Sequence, residues 1–391
     1  MRIAITTATV HDNFRSGLLE YIQRLVENLA NVDVTRENRY FIFIPKIHLQ
    51  WFSINKENVL FIFIPEFYCS PLGSLIWHLL VYPFYLLYYH IDIVHLPEYR
   101  RPLLFSPCKV IMTVHDLIGF NVPGHFLSLK RRLLHMFILK MMRLSVDKYI
   151  AVSMNTKRDI VNFVKVPPEK ISVIYEAVSE GFKPRKNSEI SGTFLKKYNL
   201  KKNYILYVAR IEHPLKNHVT LIKALRVLKN EKFEISCVFI GRLYRRYEIV
   251  LKMIDEMDLG DNISVIGYVG DEDCHLFYNA ATLVVFPSLY EGFGFPVLEA
   301  YASGKPIICS NISSLPELAC TEEMMFDPLN ENEIATKIKM FLTNKELRDN
   351  QLAKQEEKLK KFNWVLTAKE TLNEYQNCLN KRKFKARSYC E

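Results

Sequence analysis

Residues 281–310, ATLVVFPSLYEGFGFPVLEAYASGKPIICS, constrain the fold more than any other stretch of the chain. The β-branched run 282–286 reads as a buried strand. A turn follows with Glu291, Gly292, Phe293 and Gly294, and Phe295 and Pro296 stand where a helix should begin. Proline suits the first helical turn because its missing N–H has no intrahelical partner there. Gly304, Lys305 and Pro306 close the helix, and 307–309 starts the next strand. Strand, glycine-bearing turn and helix N-terminus make a place for an anion, because free N–H groups and the positive dipole end point out at the sheet's carboxyl edge. Gly292 and Gly294 have no Cβ to keep a ligand away from the backbone. Glu291 and Glu299 flank the spot, and carboxylates accept hydrogen bonds from sugar and ribose hydroxyls.

The rest of the chain repeats this alternation. Strands are expected at 2–7, 40–45, 59–64, 91–96 and 109–116, then at 204–210 and onwards, with helical periodicity between them. The fold class that follows is α/β, with mostly parallel sheets covered on both faces. A length of 391 residues suggests two domains or three. The lysine-rich stretch 183–203 has little apolar periodicity, which puts the boundary near 185. Two further positions lie at carboxyl ends of strands. His115, in TVHDL, could hydrogen-bond a hydroxyl or help carry a phosphate. Arg210 and Lys216, six apart on the loop RIEHPLKN, are poised to neutralise a diphosphate, the first as a fork and the second as a point charge. Gly17 opens the first helix after the loop HDNFRS and is by itself a weak signal.

EGFGFPVLEA followed by ASGKPIICSNISSLPE resembles the donor-site signature of retaining glycosyltransferases of the GT-B architecture, family 4. In the first half the likeness runs only through TVHDL, DIVHLPEY and the opening loop. The resemblance implies two Rossmann-like doubly wound domains facing across a cleft: 1–185 binding the acceptor, 186–364 the nucleotide-sugar donor, and 365–391 forming a crossing helix and basic tail. It also implies residue roles. Arg210 and Lys216 pair with the donor diphosphate, Glu291 with the donor sugar, Glu299 with the ribose, and the backbone of Tyr268 and Val269 with the base. Gly17 and His115 are the first domain's contribution, with His115 against the donor sugar. Transfer of a mannose-type or glucose-type hexose with retention is the implied reaction, from a UDP- or GDP-linked donor to a glycan or lipid-linked acceptor. The implied route is front-face, with no nucleophilic carboxylate. The setting implied is cell-surface polysaccharide or lipopolysaccharide assembly.

Other features limit or extend that expectation. Asp271-Glu272-Asp273 contains D-x-D, a metal signature elsewhere, but acidic residues also suit a helix start, so no metal and no cofactor are expected. The eight cysteines are scattered without a C-x-x-C pair and read as reduced structural thiols. A formal charge of +10 favours an anionic partner, and no nucleic-acid-binding motif accompanies it. Residues 72–89 carry no formal charge, and spanning helix, interfacial helix and soluble core all stay open for them. The stretch 129–146 sets Lys130, Arg131, Arg132, Lys140 and Arg143 among leucines and methionines, which suits an acidic membrane surface. MRIAITTA is too short for a signal sequence, so a cytoplasmic protein is expected, peripheral at the membrane. A nucleotide-sugar epimerase on the same fold and a non-catalytic scaffold subunit are the rival readings. A dehydrogenase fails for want of G-x-G-x-x-G.

Overall fold

A computed structural model describes residues 1–10, 17–101, 103, 105–121, 129–185 and 192–387. The opening loop 11–16 and the last residues of the basic tail lie outside the described residues. The chain divides into two units: Met1–Glu176 with Asn363–Glu391, and Ala177–Phe362.

The first unit is built on seven parallel strands: β1 (Arg2–Thr6), β2 (Arg39–Ile44), β3 (Val59–Phe63), β4 (Ile93–Leu96), β5 (Lys109–Val114), β6 (Lys148–Ala151) and β7 (Ile171–Val173). Their order across the sheet is β3-β2-β1-β4-β5-β6-β7. The order reverses between β1 and β4, and ligands of such open sheets bind at the carboxyl ends beside that reversal. Strands covered on both faces need apolar residues throughout, and β4 and β5 are buried nearly end to end. Helix α1 (Gly17–Val32) packs Leu19, Ile22, Leu25, Val26 and Leu29 inward at helical spacing.

The uncharged segment resolves into a continuous helical stretch, Pro71–Tyr88, whose middle turn, Trp77–Val81, is π-helical. The widened turn comes just before Pro83, whose missing N–H and ring break the regular ladder. By length and composition the stretch could cross a membrane. Its Trp77, Tyr82 and Leu86 are buried in the unit's core, however, while Leu72, Leu80, Phe84 and Tyr88 are exposed. Helix α2 (Leu129–Ser145) divides in the same way, burying Ile138, Leu139 and Met142 but exposing Leu133, Leu134, Phe137 and Leu144.

The second unit carries six parallel strands: β8 (Ile205–Val208), β9 (Cys237–Ile240), β10 (Ile263–Gly267), β11 (Leu283–Phe286), β12 (Ile307–Ser310) and β13 (Met325–Phe326). Their order, β10-β9-β8-β11-β12-β13, repeats that of the first unit, with the reversal between β8 and β11. Its helices include α3 (His218–Asn230), α4 (Asp271–Ala280) and α5 (Phe295–Ala302).

The last helix, α8, is preceded by α6 (Glu331–Thr343) and α7 (Lys345–Leu359). It spans Trp364–Arg387, belongs to the first unit and packs along α1. Asn363 caps it, its Oδ1 accepting from Leu366 N at 2.8 Å. Tyr375 of α8 reaches the core, where its hydroxyl lies 2.6 Å from His95 Nδ1. His95 Nε2 is 2.8 Å from Thr113 Oγ1, which lies 2.9 Å from the Tyr21 hydroxyl. Burial pushes His95 down to about 3, so it is a neutral link in this chain. The two doubly wound sheets and the returning C-terminal helix are those expected from the sequence.

Candidate active site

In the second unit the reversal point is built as the sequence suggested. The β11 strand ends at Phe286, and the turn after it enters α5 through Gly294, which has φ +116°. A side chain is strained there by the backbone, and its Cβ would also lie 2.7 Å from Leu315 Cδ2, which would have to shift. Pro296 sits in the first turn of α5. Phe295, Pro296 and Glu299 are half-exposed on one side while Val297, Leu298 and Ala300 are buried on the other. The turn is pinned from behind by two serines. Ser313 Oγ donates to Glu291 O at 2.6 Å and Ser314 Oγ to Phe293 O at 2.6 Å.

The neighbouring loop, after β8, brings Lys216 to the same place. Its Nζ donates to Glu291 Oε1 at 2.6 Å, with the two side chains only 12% and 16% exposed. The far end of that loop is fixed. The buried Asn217 donates through Nδ2 to Pro287 O at 3.0 Å and Pro328 O at 2.7 Å, and the Tyr207 hydroxyl donates to Lys216 O. Arg210, at the start of the loop, is half exposed, pairs with Glu212 at 3.3 Å and lies over the Tyr244 ring at 4.8 Å. A stacked, half-exposed guanidinium keeps its donor edge available for an anion. Glu299 accepts from the Tyr278 hydroxyl at 2.6 Å. Burial, reinforced by Glu299, holds the Tyr278 hydroxyl well above its ordinary value, so it stays a donor. Tyr268 and Val269 lie just past the end of β10, Tyr268 exposed and Val269 half-buried.

In the first unit His115 follows β5 and is a quarter exposed. Its Nε2 lies 2.9 Å from Pro97 O, at the end of β4, and its Nδ1 pairs with Glu176 Oε1 at 3.0 Å. Tyr21 meets the ring edge-on at 4.7 Å. Burial is the largest influence and lowers this histidine, but Glu176, Pro97 O and Asp116 together outweigh it and the net direction is up. Gly17 is the exposed first residue of α1, and a Cβ there would meet nothing within 4 Å. The D-x-D is the first turn of α4. Asp273 accepts from Lys197 at 2.7 Å and Tyr198 at 2.6 Å, and Glu272 from Arg185 at 2.7 Å.

His115, Arg210, Lys216, Tyr268, Val269 and Glu291 thus follow the carboxyl ends of strands of their own sheets, Glu299 lies within α5, and Lys216 bonds Glu291 directly. Sequence reasoning missed Tyr278, Glu176 and Gly241. Gly241 has φ +147°, and a Cβ there would lie 1.9 Å from Ala209 O, beside Arg210. Its signal was a lone glycine closing the strand FEISCVFIG. Tyr278 and Glu176 carried none, since each partner is far away in sequence.

Family models match both halves of the chain: "Glycosyltransferase Family 4" over 21–181 and "Glycosyl transferases group 1" over 193–358. The O-antigen chain mannosyltransferase B of Escherichia coli is 30% identical over 288 residues, covering 71% of this chain and 74% of that protein. The chain belongs to the family 4, group 1 glycosyltransferases. Among solved structures, a glycosyltransferase from Rickettsia africae ESF-5 superposes with TM-score 0.71 at 21% identity, covering 97% of this glycosyltransferase and 98% of that chain. HepE of Anabaena, in complex with UDP-glucose, superposes with TM-score 0.71 at 16% identity, covering 96% and 100%. These structural likenesses show the fold, GT-B.

Proposed function

We propose that this glycosyltransferase moves a hexose from a nucleotide diphosphate sugar to a hydroxyl of a glycan acceptor in surface-polysaccharide assembly. Mannose is the favoured hexose because the 30% identical relative is named as an O-antigen mannosyltransferase. The Lys216–Glu291 pair, set beside the α5 N-terminus at the β8/β11 reversal, carries the reading. The diphosphate takes Lys216, Arg210 and the positive dipole end of α5 at Phe295. These fixed positive groups favour the charge that grows on the leaving diphosphate over the charge of the ground state. Glu291 takes the sugar hydroxyls, Glu299 the ribose, and the Tyr268–Val269 backbone the base. The acceptor belongs to the first unit, with His115 as that unit's contribution to the reacting centre. Retention by a front-face route is part of the same proposal.

The protein works at the cytoplasmic face of a membrane in this reading. Support comes from the exposed Leu72, Leu80, Phe84 and Tyr88, and from α2, where exposed Leu133, Leu134, Phe137 and Leu144 alternate with exposed Lys130, Lys140 and Arg143. An apolar surface fringed by cations suits an anionic bilayer. Neutralising Lys130, Arg131, Arg132, Lys140 and Arg143 together lowers binding to anionic liposomes; unchanged binding would remove this part of the proposal.

The donor site is tested by thermal shift with UDP-, GDP-, ADP- and dTDP-sugars, repeated on Lys216→Ala and Glu299→Ala. A ligand bound only by the native state raises the melting temperature. One nucleotide class should do so, and both variants should lose the effect. A shift retained by both would place the donor elsewhere.

A further inference from the structure

The loop after β9, GRLYRRY at 241–247, holds three arginines and no acidic residue. It is bonded to the loop after β8 as if the two strands ran on. Ile211 N donates to Arg242 O at 3.0 Å, Tyr244 N to Ile211 O at 3.0 Å and His213 N to Arg245 O at 3.2 Å. Gly241, with no Cβ to strike Ala209 O, lets the two loops come that close. Backbone bonds thus deliver the Tyr244 side chain to Arg210. The Arg210 guanidinium lies over the Tyr244 ring at 4.8 Å, and the exposed Arg245 places its own over the same ring at 5.3 Å.

Arg210 needs such a hold. It pairs at 3.3 Å with Glu212 Oε1, an oxygen that makes no hydrogen bond among the described residues. An ionic contact of that kind sets where the charge sits, but not which way the planar fork faces. A ring against the flat face sets the plane and leaves the N–H edge for an anion. Two guanidinium groups gathered on one ring also repel each other, and a bound anion offsets that repulsion.

We propose that Tyr244 is a positioning residue of the donor site, holding Arg210 in the orientation that meets the diphosphate, and that Arg245 is a further cation for the same ligand. The inference rests on the proposed place of Arg210 in the donor site and adds a second loop to it. All the residues involved belong to the second unit. The arrangement also sets a preference. A nucleoside diphosphate has two phosphate groups to share among Arg210, Arg245 and Lys216, whereas a nucleoside monophosphate has one.

The test is calorimetry on the full-length protein with GDP, UDP, GMP, UMP and inorganic pyrophosphate, which needs no base. Tyr244→Leu should weaken whichever diphosphate the wild type binds by about two- to fivefold, the scale of an exposed cation–π contact. The matching monophosphate should lose less. Tyr244→Phe keeps the ring and should bind as the wild type does, which a role for the hydroxyl would not allow. Arg245→Gln should weaken the diphosphate by a similar factor. Added to Arg210→Ala, Tyr244→Leu should cost less than it does alone, because Arg210 is no longer there to be held. If Arg210→Ala weakens the diphosphate and Tyr244→Leu does not, the positioning role is overturned while the donor reading stands. Unaltered binding in Arg245→Gln removes Arg245 from the site. If Arg210→Ala changes nothing, or the wild type binds no diphosphate, the donor reading itself fails and takes the inference with it.

Discussion

Each unit places a cation and a carboxylate together at the carboxyl edge of its sheet, yet the two pairs work differently. In the second unit the cation is a lysine, and both members are partly exposed. In the first unit the carboxylate's partner is a histidine, a residue type that gains and loses its proton near neutral pH. One pair is permanent and the other conditional. Permanent charge suits anchoring a diphosphate, whereas conditional charge ties the first unit's role to pH.

The largest effect should come from Lys216→Ala, which leaves Glu291 unpaired and, on the proposed reading, removes a charge that binds the diphosphate. By the scale of single oxyanion-stabilising groups, donor turnover should fall on the order of 10²–10³-fold, with the first unit's His115 titration unmoved. Movement of that titration would mean that the two pairs are not independent. Next is Gly294→Ala, which forces a side chain at φ +116° against Leu315. Native stability should drop by about 1–3 kcal/mol, read as a lower melting temperature. An unchanged melt would show that the turn under Glu291 can rearrange. The smallest effect is on stability against pH. His115 has a folded-state pKa above its unfolded value, so its contribution is complete below the ordinary value of 6.5 and is lost as pH rises through the folded one. Denaturant midpoints should therefore decline over that window in the wild type and less so in His115→Gln. Equal slopes would deny that the first unit's charge is conditional.

The contrast also explains what could be read from sequence. The second unit's site was legible because its chemistry is local: Glu291, Gly294, Pro296 and Glu299 fall within nine residues, and the turn and helix entry dictate their order. Lys216 was legible as a cation on a strand-end loop, but its bond to Glu291 was not, because 75 residues separate them. Glu176 was invisible for the same reason, being an ordinary acid until the fold brings it to His115. The doubly wound architecture followed from alternating periodicity. What periodicity could not decide was the uncharged segment, since Trp77 and Tyr82 face the core while Phe84 and Tyr88 face out, and the π turn between them offsets any simple helical count. The returning helix came from resemblance alone, as nothing local in WVLTAKETLNEYQ says which sheet it joins.

The reach of Tyr375 to His95 has a consequence for synthesis. Residues 177–362 form a unit that is continuous in the chain and can close as soon as it has left the ribosome. The unit begun by Met1 cannot, because His95 Nδ1 has its partner only when residue 375 arrives. The part of the protein made first is thus finished last, and a chain broken off before its final helix would carry all of residues 177–362 but an N-terminal unit with an open seam.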